Sequence, residues 1–135
     1  MRQVDHRQGD AILGAMRQVA LAGGRAITHA DTASILAAAR YLLHRHDFAD
    51  LGTLPAVEPP DLVMALKADH ELAAETVKYL AIMVMVDGIL DRNKLVRALS
   101  YARALDVEEN YLTQMVEAAS GHMSWVIADM TMRNA

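Results

Sequence analysis

Cysteine is absent from this 135-residue chain, which excludes disulfides, thiolate metal sites and thiol nucleophiles together. Aromatic residues make up only 4% of the sequence, although 53% of it is hydrophobic. The core must therefore be built from Ala, Leu, Val, Ile and the nine Met residues. Because Ala, Leu and Met favour helices, whereas strands favour β-branched and aromatic residues, this composition indicates an all-helical protein.

Long apolar runs and catalytic motifs are also missing. No run reaches the roughly 18 residues that a membrane-spanning helix needs, and the N-terminus lacks the compact apolar region of a secretion signal. We therefore expect no membrane span and a cytoplasmic location. The sequence contains no Gly-x-Ser-x-Gly, no phosphate loop and no His-Glu-x-x-His, so we lean against an enzyme.

The charge is unevenly distributed along the chain, whose net charge is −4. Residues 1–45 carry six Arg against three Asp, whereas residues 46–91 carry two Lys against nine Asp or Glu. An acidic middle repels phosphate backbones and is compatible with a cation or a basic partner. We therefore expect no nucleic-acid binding.

Start and stop signals divide the chain into about six or seven helices. After a polar lead-in over residues 1–9, helix starts are predicted in chain order by Asp10, Thr28 or Asp31, Pro60, Asp69 and Asp91. Extended loop structure is predicted from Asp47 to Pro60, and helix stops at Gly23-Gly24, Asp87-Gly88 and Gly121. A further helix follows the turn at Leu105, and a last one runs almost to Ala135.

Helical periodicity identifies the expected inner faces. In the helix after Asp69 this face holds Leu72, Ala73, Thr76, Val77, Leu80, Ala81 and Val84. The run from Tyr79 to Val86 is apolar all round, which predicts a central, buried helix. In the helix after Asp91 the inner face is predicted at Leu95, Val96, Leu99 and Ala102. The chain is thus predicted to be one compact helical bundle over residues 1–135.

Residues 81–117 carry a recognisable pattern. An apolar helix ends in Asp87-Gly88, a short acidic stretch reaches Asp91, a helix runs from Leu95 to Leu105, and Asp106-Val107-Glu108-Glu109 leads to another helix. This pattern resembles the tellurite-resistance TerB-like family of small helical domains. The resemblance implies a role in bacterial tellurite and chemical-stress resistance, and binding of a divalent cation through acidic residues. The family usually has a Glu where this sequence has Lys94, and a lysine there works against cation binding.

Acidic residues in the middle of the chain are the candidate metal ligands. Asp87 and Asp91 flank a glycine turn and could supply two oxygens to a hard cation, although they could equally end one helix and cap the next. Glu71 and Glu75 are four residues apart and share a helix face, where the helix dipole alone would favour them. Asp47 lies three residues after His44, a spacing that suits either a metal ligand pair or a helix end.

Methionines near the C-terminus are the candidate partner-binding residues. Met-rich faces adapt to varied apolar partners, but at helical spacing they also fill cores. The set is Met115, Met123, Trp125, Met130 and Met132. Because the last helix is still apolar where the sequence ends, we expect it either to dock on a second copy or to continue in a longer protein.

Three functions therefore remain open. The first is a non-catalytic TerB-like module in a stress response that binds a divalent cation through an acidic seam. The alternative is a helical domain that binds an apolar small molecule or a protein partner, or self-dimerises, through its Met-rich C-terminal helices. An enzyme that uses Glu71, Glu75 and the histidines is the third.

Overall fold

The computed structural model describes residues 4–24, 27–42, 54–66, 69–86 and 91–116. These ranges contain helices and turns but no strand, which confirms the predicted all-helical bundle. A π-helical turn at Ala38–Leu42 continues the second helix. The helices are α1 (His6–Leu21), α2 (His29–Ala37), α3 (Pro59–Leu66), α4 (His70–Met85), α5 (Arg92–Ala104) and α6 (109–116).

Three helix starts lie where the capping signals predict them. Thr28, Asp69 and Asp91 are the N-caps of α2, α4 and α5. In α4 the Leu72 backbone N–H donates to Asp69 Oδ1 at 3.1 Å. Each such bond satisfies a donor that the first helical turn leaves without a partner.

The predicted start of α1 at Asp10 is wrong. The N-cap is Asp5, whose Oδ1 accepts from the Gln8 backbone N–H at 2.7 Å, while the Asp5 N–H donates to Gln8 Oε1 at 3.3 Å. This reciprocal pair is a capping box, and it outcompetes a lone downstream Asp because it satisfies two backbone donors at once. Asp10 consequently lies inside the helix.

Helix α1 is the centre of the bundle, since it packs against α2, α3, α4 and α5. Its Ile12, Leu13 and Val19 are fully buried. Burial of one such side chain is worth about 1.5–3 kcal/mol, so this face contributes strongly to the stability of the fold.

Helix α4 has the predicted inner face but is not the buried central helix. All seven predicted inner residues are buried, yet Ile82 is 51% exposed and Tyr79 is only partly buried. The apolar run thus extends beyond the face that packs on the core. Apolar content alone does not specify which side of a helix is covered.

The predicted inner face of α5 is confirmed at Ala102, and Leu95 and Leu99 also pack against the core, but the prediction is wrong at Val96. Val96 is 60% exposed, whereas Lys94 and Tyr101 are buried with the alanines of the same stripe, Ala98 and Ala102. The buried stripe thus begins at a charged residue. Burial of the Lys94 side chain is favourable only because it contacts Asp31, a residue of opposite charge that is far away in the sequence.

Several predictions fall outside the described residues. They are the first part of the loop after Asp47, the stop at Asp87-Gly88, the stop at Gly121 and the last helix. Among the helices that the structure describes, none has the length and apolarity needed to cross a bilayer.

One glycine sets the distance between α1 and the segment that leads into α3. A Cβ placed on Gly14 would lie 2.7 Å from the Pro55 carbonyl oxygen and 2.7 Å from Val57 Cγ2. Real side-chain contacts are longer than this, so only glycine lets residues 54–58 pack directly on the α1 backbone.

We expect Gly14→Ala to destabilise the protein despite the better helix propensity of alanine. The propensity gain is about 1 kcal/mol, whereas overpacking costs about 1–3 kcal/mol, and a backbone carbonyl cannot rotate away. Urea denaturation should therefore show a lower free energy of unfolding. A variant as stable as the wild type would contradict this close packing.

Candidate functional site

The predicted metal ligands are not gathered into one place by the described part of the chain. Glu71 and Glu75 are both exposed on α4. Asp91 Oδ1 accepts from the backbone N–H groups of Asn93 at 2.9 Å and Lys94 at 3.1 Å, so it acts as a helix cap. Asp47 and Asp87 lie outside the described residues.

Within residues 4–24, 27–42, 54–66, 69–86 and 91–116, no three His, Asp or Glu side chains come close enough to hold a metal ion. The divalent-cation site stays a prediction, because two of its five proposed ligands are outside these ranges. The structure does describe a charged cluster around Asp91, another of the proposed ligands.

This charged cluster joins Asp31, Asp91 and Lys94. Lys94 Nζ lies 3.2 Å from Asp31 Oδ1, and the two side chains are only 6% and 2% exposed. Asp31 Oδ2 also accepts from the Thr28 backbone N–H at 3.1 Å. A Cβ on Gly23 would lie 3.1 Å from Asp91 Oδ2 and from Lys94 Cε, which places Asp91 beside the lysine.

The cluster therefore contains a positively charged group, the Lys94 ammonium, beside its carboxylates. A buried carboxylate is strongly unfavourable without a counter-ion, and the Lys94 ammonium supplies one to Asp31. Sequence reasoning identified Asp91 but saw Asp31 only as a helix-start residue. A signal was present, because Lys94 is spaced four, seven and eight residues from the buried Ala98, Tyr101 and Ala102.

A surface groove lies between α1 and α3, and we call it the α1–α3 groove. It has a volume of about 360 Å³. Met64 of α3 lies at its edge with 69% of its surface exposed. The groove is lined by Arg7, Asp10, Ala11, Pro55, Val57, Asp61, Met64 and Ala65. Its walls are mixed, with aliphatic side chains beside one arginine and two carboxylates.

Side chains of α5 fix the wall of this groove. The buried Tyr101 hydroxyl donates to the Val57 carbonyl oxygen, and the Arg97 guanidinium lies 5.0 Å from the Tyr101 ring centroid. Arg97 Nη2 in turn donates to Glu58 Oε2 at 2.8 Å. Burial raises the pKa of Tyr101 to about 12, which Arg97 partly opposes. The phenol therefore stays protonated and keeps donating near neutral pH.

A second and smaller cavity lies where α3, α4 and the end of α5 meet, and we call it the α3–α5 pocket. Its volume is about 160 Å³. Most of its surface is aliphatic, and its polar lining residues are Asp69, His70 and Asp106. The aliphatic lining residues are Val63, Leu66, Ala73, Ala104 and Leu105.

The predicted methionine surface is described only at its first member. Met115 in α6 is partly buried and packs against the core. Met123, Trp125, Met130 and Met132 lie outside the described residues. The exposed methionine that the structure does describe beside a groove is Met64, whose position in the short helix α3 gave no sequence signal.

Comparison of the chain with protein families, curated proteins and solved structures found no match. The TerB-like resemblance therefore stays a prediction.

We expect Lys94→Met to be strongly destabilising, by about 3–5 kcal/mol, because it leaves the Asp31 carboxylate buried without its partner. The double variant Asp31→Asn/Lys94→Met should recover part of this loss, since asparagine can still accept from the Thr28 N–H without carrying a charge. Urea denaturation of the two single variants and the double variant measures the coupling.

The matched control is Arg103→Met, which breaks the ion pair of Arg103 with Glu109 on the surface. Because solvent screens exposed charges, its effect should be far smaller than that of Lys94→Met. Equal losses for the buried and the surface pair would contradict the assigned role of Lys94.

Proposed function

We propose that this chain is a non-catalytic helical module that binds a segment of a partner protein in the α1–α3 groove. The observation that carries this proposal is Met64, a large apolar side chain left 69% exposed in a groove that combines aliphatic and charged side chains. Methionine is overrepresented at such surfaces because its flexible, polarisable side chain adapts to different apolar shapes.

The charges of the groove indicate what kind of segment would fit. Asp10 and Asp61 contribute two negative charges against one positive charge from Arg7. A complementary segment would present an apolar side chain to Met64 and Val57 with a basic residue beside it. Complementary charge of this kind favours specificity and association rate.

The groove is also held in shape before a partner binds. Val57 is fixed by the Tyr101 hydroxyl, and the neighbouring Glu58 is fixed by Arg97. The close contact at Gly14 holds the same segment against α1. A preformed wall lowers the entropic cost of binding, which supports recognition over a small contact area.

A displayed library of random peptides tests this proposal, followed by affinity measurement of the selected peptides. We expect selected sequences to combine an apolar residue with a neighbouring Lys or Arg. Met64→Glu should weaken their binding by at least about tenfold, which corresponds to about 1.4 kcal/mol.

The control for this experiment is Val96→Glu, which places the same charge at another exposed apolar residue, 60% exposed on α5. It should leave peptide affinity unchanged. Selection of acidic peptides, failure to select any peptide, or equal losses from both variants would contradict binding in the groove.

A second proposal keeps the role that the TerB-like resemblance implies, a divalent-cation module in tellurite and chemical-stress resistance. Its support is that Asp31 contacts Lys94 and that Asp91 lies beside the same lysine at the start of α5. Asp87, Glu71, Glu75 and Asp47 are the further carboxylates proposed for this seam. It ranks second because the Lys94 ammonium already neutralises part of the charge that a cation would need.

Thermal unfolding of chelator-treated protein with millimolar Ca²⁺, Mg²⁺, Mn²⁺ or Zn²⁺ tests the cation proposal. A bound ion at about 100 times its dissociation constant would add about 2.7 kcal/mol and raise the melting temperature. Asp91→Ser should abolish that rise, because serine still caps α5 but provides no carboxylate. No rise with any of the four ions would contradict a cation site.

A further inference from the structure

The α3–α5 pocket combines an aliphatic interior with an acidic rim. Leu66, Ala73 and Leu105 are buried residues of the core, and they form the inner part of the lining. Asp69 and Asp106 contribute carboxylates to the same cavity. An apolar body with a polar head is the type of ligand that such a lining complements.

Asp106 occupies an electrostatically unfavourable place at the end of α5. Its φ is 58°, the left-handed conformation that glycine normally adopts after a helix. The bond from the Val107 N–H to the Ala102 carbonyl at 2.9 Å closes the end of α5 around it. Its negative charge also lies at the negative end of the α5 dipole, where cations are favoured.

A residue with an electrostatic cost of this kind indicates a role other than stability. Costs of this type are concentrated at functional sites, where the surrounding structure compensates for them. Gly or Asn would close this turn without placing a negative charge there. The Asp106 carboxylate is therefore the group of the pocket that we expect to contact a ligand.

Among the residues that the structure describes, the charges around the pocket favour a positive ligand. Asp106, Asp69 and the carbonyl end of α5 are all negative. The start of α4 is positive, but Asp69 caps it with a bond to the Leu72 N–H. His70 is exposed at the same rim. The nearby Arg103 is held by Glu109.

We propose that the α3–α5 pocket binds a small organic cation, a primary ammonium on a short hydrocarbon body, with its ammonium at Asp106. The size follows from the volume of about 160 Å³. Aliphatic cavities of about 150 Å³ accommodate a benzene ring. Larger ligands would have to extend past the rim into solvent.

Three probes of the same size and different charge test this proposal. Benzylammonium, benzyl alcohol and benzoate are titrated into ¹⁵N-labelled protein, and the amide signals of His70, Ala73, Leu105 and Asp106 are followed. Benzylammonium should shift these signals at millimolar concentrations. The neutral and anionic probes should bind at least about tenfold more weakly.

Asp106→Asn removes the negative charge but preserves the turn, because asparagine also tolerates the left-handed conformation. It should reduce benzylammonium binding by about tenfold and leave the weak binding of benzyl alcohol unchanged. The control is Glu108→Gln, an equal loss of charge at an exposed residue outside the pocket lining, which should have no effect.

Ala73→Leu fills the pocket and should abolish binding of all three probes. If this variant does not fold, the comparison of Asp106→Asn with Glu108→Gln is sufficient to test the proposal. Equal affinity for benzylammonium and benzyl alcohol, or equal effects of the two charge variants, would overturn the proposal. None of these outcomes bears on Met64, so this site and the α1–α3 groove are tested separately.

Discussion

The buried contact between Lys94 and Asp31 constrains how the helices can be arranged. Its two residues are 63 positions apart and come from the first turns of α5 and α2. Because either charge alone would be costly in the core, the two helix starts must meet. The Gly23 turn after α1 packs on the same cluster, so the central helix is included in this constraint. Helices α3 and α4 also pack against α1.

The local features of the fold could be predicted from the sequence, and the long-range ones could not. Caps at Thr28, Asp69 and Asp91 are signals within four residues, and all three are confirmed. The predicted cap at Asp10 is wrong because a stronger capping box begins at Asp5. Periodicity identified the inner face of α4 correctly. It misplaced Val96 of α5, because the buried stripe includes a lysine whose partner lies in another helix.

The candidate sites were harder to predict for the same reason. Asp91 was identified because it lies in a short motif, but its neighbour Asp31 comes from a distant helix. The α1–α3 groove and the α3–α5 pocket are formed where ends of separate helices converge, and no sequence spacing records this convergence. Met64 and Asp106 become informative only when exposure and backbone conformation are known.

The short helix α3 separates the two cavities. Asp61 and Met64 face the groove, whereas Val63 and Leu66 line the pocket. Leu62 and Leu66 are 0% and 1% exposed, so they anchor α3 to the core between the two cavities. A substitution at the exposed Met64 therefore changes the groove without moving the wall of the pocket. Because a close-packed core resists small shifts, an eight-residue helix can present two separate surfaces on opposite sides.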